Sequence, residues 1–206
     1  SNVSIQIKET RSMSELDATF KHFETHLNLE KTNSILKESL LRASDGELFL
    51  EKNTTESLVF DDSNLRQSAL NSRQGFGLRA VSDEKIGFSH SSNITEAAIK
   101  EAGTVVRRAI DNNENFKDRK DKSPKEPKSL YLKSNPCHSI PINTRVDLLK
   151  QIDSYARQYD SRVIQVSVSL SASFQEILIL RLNQNPIGDQ RPMARLNVMV
   201  TLEENG

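Results

Sequence analysis

Near Glu47 the apolar residues stop recurring about every 3.6 residues and begin to alternate, and this change of period most constrains the fold. Before it, Leu16, Phe20, Phe23 and Leu27 fall at helical spacing, and a run from Thr32 to Ala43 sets Ile35, Leu36, Leu40 and Leu41 on one face. Ser44-Asp45-Gly46 punctuates the chain. After it, ELFLEK and ESLVFDD read as short strands, and a further strand is expected over Leu65 to Leu70. GFGLRAV and KIGFSH then form a hairpin across Ser82-Asp83. Phe76, Leu78 and Ala80, with Ile86 and Phe88 after the turn, are the alternating residues expected to face the core.

Asn93 and Glu96 have the spacing of a capping box, which predicts a helix with Ile94, Ala98, Ala102, Val105, Ala109 and Ile110 along its apolar stripe. The stretch NNENFKDRKDKSPKEPK is nearly free of apolar groups and reads as a mobile loop within a linker over 111–143. Asn143 or Thr144 is placed to cap a helix carrying Val146, Leu149, Ile152, Tyr155 and Ala156. Three strands should follow within 144–206. The first alternates Ile164, Val166, Val168, Leu170 and Ala172 with polar residues; the second is EILILRL; the third carries Leu196, Val198, Val200 and Leu202.

Helices, strands, helix, loop, helix, strands is the order of an α+β fold: antiparallel sheet with flanking helices, not a doubly wound parallel sheet. Two subdomains around the linker and one sheet drawn from both halves both fit this order. Neither strand set has enough helix to cover it alone, which favours a single domain over 1–206.

Charge narrows the function classes. Lys plus Arg and Asp plus Glu are 28 each, so no global basic footprint argues for direct nucleic-acid binding. The single Cys137 fits a reducing compartment, no apolar run is long enough to span a bilayer, and the first residues lack a signal-peptide pattern; a cytoplasmic protein is the expectation. The start at Ser1 without Met suggests a tag remnant or numbering after processing.

Candidate chemistry is thin. His22, Glu24 and His26 form HFETH, but a zincin needs its glutamate directly after the first histidine, and no third ligand is evident; a polar helix face is the better reading. Cys137-His138 is adjacent in sequence without an orienting group, so an ordinary loop pair is expected. GFGLRA lacks the third glycine of a dinucleotide fingerprint and continues as strand, so its glycines point to a bulge or a close backbone approach. Arg79, on the polar phase of its strand, is set to pair with a carboxylate across the sheet or at an interface. The KDRKDKSPKEPK run mixes signs and has no aromatics, which suggests solvation. No residue is assigned as catalytic, cofactor-binding or metal-binding.

The block GFGLRAVSDEKIGFSH resembles the signature hairpin of the TldD/PmbA family, with Gly75, Gly77, Arg79, Gly87 and Phe88 matching its pattern. Asp83 stands where the family's turn usually has Gly, and His90 where an aromatic such as Tyr is common. The segments ELFLEKNTTESLVFDDSNLRQSALNSRQ, TRVDLLKQIDSYARQYDSRVIQVSVSLSASFQEILI and RPMARLNVMVTLEENG resemble the flanking parts in the same order, and the last favours the TldD side. The resemblance implies an amino-terminal domain of a zinc metallopeptidase whose His-Glu-x-x-x-His motif and cysteine ligand lie beyond Gly206. It also implies a PmbA/TldE-like partner subunit, unfolded peptide as substrate, roles in peptide maturation and degradation, and an indirect connection to DNA gyrase. Zinc is thus implied for the full-length protein and no cofactor is assigned to these residues. A protein-binding module that works without proteolysis is the alternative.

Overall fold

The structure, a computed structural model, describes residues 21–82, 85–110, 131 and 134–204. In chain order the elements are α1 (Leu29–Ser39), β1 (Asp45–Asp61), β2 (Asn64–Ser82), β3 (Lys85–Ser91), α2 (Glu96–Ile110), α3 (Ile142–Tyr159), β4 (Val163–Arg181) and β5 (Ile187–Leu202). Residues 21–24 are helical as well. All pairings are antiparallel, and the five strands form one sheet in the order β3-β2-β1-β4-β5. The α+β architecture is the one its order of periodicities requires. The sheet joins both halves of the chain, because β1 pairs with β2 on one side and with β4 on the other. The Lys/Pro-rich run and the proposed mobile loop lie outside the described residues, as do Leu16 and Phe20.

The strands are longer and fewer than their sequence suggests. ELFLEK and ESLVFDD are one strand, since Asn53, Thr54 and Thr55 between them pair with Arg73, Ser72 and Asn71 of β2 and with Gln175, Phe174 and Ser173 of β4. A backbone flanked on both sides has its hydrogen bonds satisfied as strand, which overrides the local turn tendency of Asn and Thr. The strand expected at Leu65–Leu70 runs on into GFGLRAV with β1 paired along its whole length, and the first two carboxy-terminal strands fuse as β4 between β1 and β5. Two carboxy-terminal strands, not three, result. At about 3.3 Å per residue β1 spans roughly 55 Å. The β1–β2 connection is a tight hairpin in which Asp62 and Ser63 both take positive φ, 46° and 61°, as a two-residue type I′ turn requires.

Even-numbered residues of β1 face the helices. At one end Leu48 and Leu50, with Phe76, Leu78, Leu178 and Leu180 beside them, pack under Leu36 of α1, Leu40 at its C-cap, and Ile99 and Val106 of α2. At the other end Leu58, Phe60, Val166 and Val168 pack against Leu149 of α3. Each fully buried Leu contributes on the order of 1.5–3 kcal/mol. Between these cores the same face is polar, with Lys52, Thr54 and Glu56.

Three helix details differ from expectation. Thr95, not Asn93, caps α2: its Oγ1 accepts from the Ala98 N–H at 3.2 Å. Glu96 Oε1 instead accepts from the Asn28 N–H at 3.1 Å and ties the starts of α2 and α1 together. The buried stripe of α2 is Ile99, Ala102, Gly103, Val106 and Ile110, leaving Val105 half exposed. Pro141, not Asn143 or Thr144, precedes α3, and no side chain caps that end. Tyr155 points to solvent, while Arg145, Leu149 and Asp153 form the most buried line of α3.

Strand phases also shift in two places. A bulge between Val163 and Gln165 turns Ile164 outward, breaking the alternation expected from Ile164 to Ala172. In β3 the core side is Gly87, opposite Ala80, and it is Ile86 and Phe88 that are exposed, at 66% and 60%. Gly87 lies inward because α2 packs so close that a Cβ there would come within 2.7 Å of the Val106 carbonyl oxygen.

Candidate functional site

The sheet face away from the helices carries a groove of about 580 Å³ across β1, β2 and β3. Its floor is open at Gly75 and Gly77, where no side chain rises, and Phe49, Phe88 and His90 form apolar and aromatic walls. The groove owes its position to the phase of β3. With Gly87 turned into the core, Phe88 sits opposite Arg79 and His90 opposite Gly77 on the open face. The Phe88 and His90 ring centroids lie 5.9 Å apart, and a Cβ on Gly77 would touch the Phe88 ring at 3.3 Å.

One end of the groove is held by a ladder of opposite charges across three strands. Arg181 of β4 donates from Nε and Nη2 to Glu47 Oε2 of β1, at 2.9 and 2.6 Å. Arg79 of β2 lies 3.6 Å from Glu47 Oε1 and donates to Asp45 Oδ2 at 3.2 Å. Arg79 thus makes the cross-strand carboxylate pairing its strand phase suggests. Further along, Glu51 accepts from Gln175 Nε2 at 2.9 Å. Next to it Asn53 Oδ1 is buried with no hydrogen-bond partner among the described residues. A buried acceptor left without a donor costs about 1–3 kcal/mol, which a donor entering the groove would recover.

The remaining sequence candidates are scattered. His22 and His26 stack edge to face with centroids 5.4 Å apart, on the helix side of the sheet. The Lys52 ammonium reaches His22 Nδ1 at 3.3 Å, and His22 Nε2 meets Gln74 Oε1 at 3.1 Å. Because the ammonium can only donate, Nδ1 must accept and Nε2 carry the proton, which is the neutral ring. Burial, and then the nearby Lys52 charge, push the His22 pKa below its ordinary value against the opposing Gln74 hydrogen bond. Both nitrogens are therefore occupied, and Glu24 is exposed. Cys137 is buried with Sγ 3.8 Å from the Thr54 carbonyl, and burial raises its thiol pKa, which disfavours the thiolate a nucleophile needs. His138 beside it is exposed. Gly75, Gly77 and Gly87 serve close approach, and no register shift occurs at them.

Among the described residues no group of three or more His, Cys, Asp or Glu is placed to hold a metal ion. The described side chains therefore do not fit a zinc site. What the groove can do is bind: an apolar floor for a side chain, one uncommitted acceptor and a balanced set of charges at its rim.

Sequence reasoning missed a polar seam under α3. Arg145 and Glu56 form a buried ion pair. Asp153 accepts from Ser63 Oγ at 3.0 Å and from Arg157 Nε at 3.3 Å, while Arg157 also reaches Asp62 Oδ1 at 2.7 Å. The available signal was Arg145 and Asp153 spaced four residues on either side of Leu149, on the stripe of that helix.

Similar folds occur in solved structures. A protein described as a modulator of a DNA gyrase from Thermotoga maritima superposes with a TM-score of 0.69 at 13% identity, over 87% of this chain and 41% of that one. TldE from Thermococcus kodakarensis gives a TM-score of 0.66 at 12% identity, over 85% of this chain and 40% of that one. Sequence relatives include the metalloprotease TldD homologues of Buchnera aphidicola subsp. Schizaphis graminum and of Haemophilus influenzae. Each is 31% identical over 161 residues, which is 78% of this chain. The chain spans 33% of the length of these relatives. Residues 46–112 match the family description PmbA/TldA metallopeptidase domain 1, and residues 135–206 match PmbA/TldA metallopeptidase central domain. With both domain descriptions matched in order, the chain belongs to the TldD/PmbA metallopeptidase family.

Proposed function

We propose that this chain is the amino-terminal scaffold and substrate-cleft portion of a TldD-like, zinc-dependent metallopeptidase that matures peptides and degrades unfolded ones in the cytoplasm. Its catalytic groups and metal ligands belong to the remainder of the full-length protein, and a PmbA/TldE-like subunit completes the cleft. The observation that carries this reading is the open-face groove. An extended peptide laid there would rest an apolar side chain over Gly75 and Gly77 between Phe49 and Phe88. A peptide N–H would satisfy Asn53 Oδ1. Such recognition reads backbone and bulk more than sequence, which suits an enzyme acting on unfolded chains.

The test uses the full-length natural protein with its partner subunit and an unfolded peptide. Phe88→Ser and Asn53→Leu are expected to raise KM with kcat nearly unchanged, because a cleft wall binds ground state and transition state alike. The 206-residue chain alone is expected to cleave nothing. An unchanged KM in both variants overturns the role of the groove. A full-length protein that binds a partner but cleaves no peptide with its metal loaded turns the reading into that of a non-proteolytic binding module.

A further inference from the structure

The charges lining the open-face groove balance in number but not in pairing. At one end Asp45 and Glu47 are matched by Arg79 and Arg181. That leaves Glu51 and Arg73, which line the same groove and among the described residues have no ion-pair partner. Glu51 stands opposite Gly75 on β2 and Ile177 on β4, so Arg73 and Gln175 are both diagonal neighbours. Gln175 Nε2 donates to Glu51 Oε1 at 2.9 Å, whereas the exposed Arg73 does not come within ion-pair distance of it. Glu51 is therefore a half-buried carboxylate with Oε2 uncommitted and no cation beside it. Two residues on, about 6.6 Å along the strand, Asn53 Oδ1 is a buried acceptor without a donor. Two residues back is Phe49, which lines the groove together with Phe88.

These neighbours call for a ligand with an apolar stem and a positively charged, donor-rich tip. An acidic tip would meet a carboxylate and a second acceptor, and an apolar one would leave Asn53 Oδ1 unpaired. A basic side chain satisfies both groups, and its stem lies on aromatic rings that attract cations as well as hydrocarbon. The bare floor at Gly75 and Gly77 gives that stem room. Lysine fits better than arginine. A guanidinium gains most from two parallel bonds to one carboxylate, and Gln175 already holds one of the Glu51 oxygens. An ammonium is a compact donor of three bonds, which it can divide between Glu51 Oε2 and Asn53 Oδ1.

On the reading of the groove as the substrate cleft, we propose that it is a subsite for a lysine side chain of the peptide, selected by Glu51 and Asn53. One position of the bound peptide then carries a charge preference, while the rest of the cleft reads backbone and bulk.

The test uses the full-length natural protein, metal-loaded and with its partner subunit, and unfolded peptides in which a single lysine is moved along an uncharged sequence. KM is read from cleavage and Kd from fluorescence anisotropy, each against the same peptide with acetyl-lysine, norleucine or arginine in lysine's place. At one position lysine is expected to lower both constants several-fold relative to acetyl-lysine and norleucine, with arginine between them. kcat should change little. Glu51→Gln is expected to abolish the advantage and leave the norleucine peptide unaffected, and Glu51→Lys to transfer it to a glutamate peptide. Circular dichroism confirms that both variants fold. Lysine without advantage at every position, arginine preferred to lysine, or an advantage that survives Glu51→Gln would each overturn the proposal. If binding or cleavage responds to Phe88→Ser while lysine is ignored, the cleft stands and only its charge preference falls. Indifference to Phe88→Ser, Asn53→Leu and lysine alike would remove both.

Discussion

Gly87 shows how one absent side chain can set the character of a whole face. Its backbone lies against the Val106 carbonyl, and a Cβ would sit 2.7 Å from that oxygen. Gly87→Ala is expected to destabilise the fold by about 1–3 kcal/mol in urea unfolding. Gly77→Ala should cost less, because the atom it meets belongs to the exposed and movable Phe88 ring. Equal losses in the two variants would contradict the close approach of α2. His22 is a second single-residue determinant. Its ring is held neutral among Lys52, Gln74, Glu176 and His26, with a pKa below the ordinary value of 6.5. The folded state therefore binds fewer protons than the unfolded one as pH falls past that ordinary value. Its contribution is fully present above that point and is lost as pH falls through the lowered pKa. Stability measured from pH 7.5 down to about 5 should decline more steeply in wild type than in His22→Gln, and parallel curves would remove His22 from the account.

At the scale of elements, α3 is fastened differently from α1 and α2. The latter pair bury apolar side chains and two hydroxyls, Thr32 and Ser39, that bond back to their own helix, whereas α3 sets Arg145 and Asp153 toward the sheet on either side of Leu149. Arg145 meets Glu56 in the polar band between the two cores. Removing one member of a buried pair strands the other charge, so Glu56→Ala is expected to cost roughly 3–5 kcal/mol. Replacing both, as Glu56→Leu with Arg145→Met, should cost much less than either single change by thermal or urea unfolding. A double variant as unstable as the singles would show that the pair does more than satisfy itself.

At the scale of the whole molecule, the β1–β4 ladder binds the halves. It runs without interruption from Glu47 opposite Arg181 to Asp61 opposite Ser167. The two family matches, 46–112 and 135–206, meet along this ladder rather than through a linker. We therefore propose that the chain behaves as one domain. Residues 21–112 and 134–206, co-expressed as separate polypeptides, should copurify through gel filtration without denaturant. Fragments that elute apart and each remain folded would show two subdomains in place of one.

The order of periodicities by itself determined the α+β class, the antiparallel sheet and the pairing hairpin around Gly75 to His90, because alternation and helical spacing are local properties of the chain. Family membership was legible for a similar reason, since the glycines and Arg79 of that hairpin stand in fixed local spacing. Strand length was not legible: Asn53-Thr54-Thr55 and Ser171-Ala172-Ser173 have the composition of breaks, and only neighbours on both sides make them strand. Nor could alternation say which phase of β3 faces inward, since Ile86 and Phe88 are the apolar residues there. The approach of α2 to Gly87 decided that, turned Phe88 outward and so made the groove. The buried Arg145–Glu56 pair was out of reach in the same way, for a charge is worth burying only where its partner arrives from another element, and that meeting exists only in the folded chain.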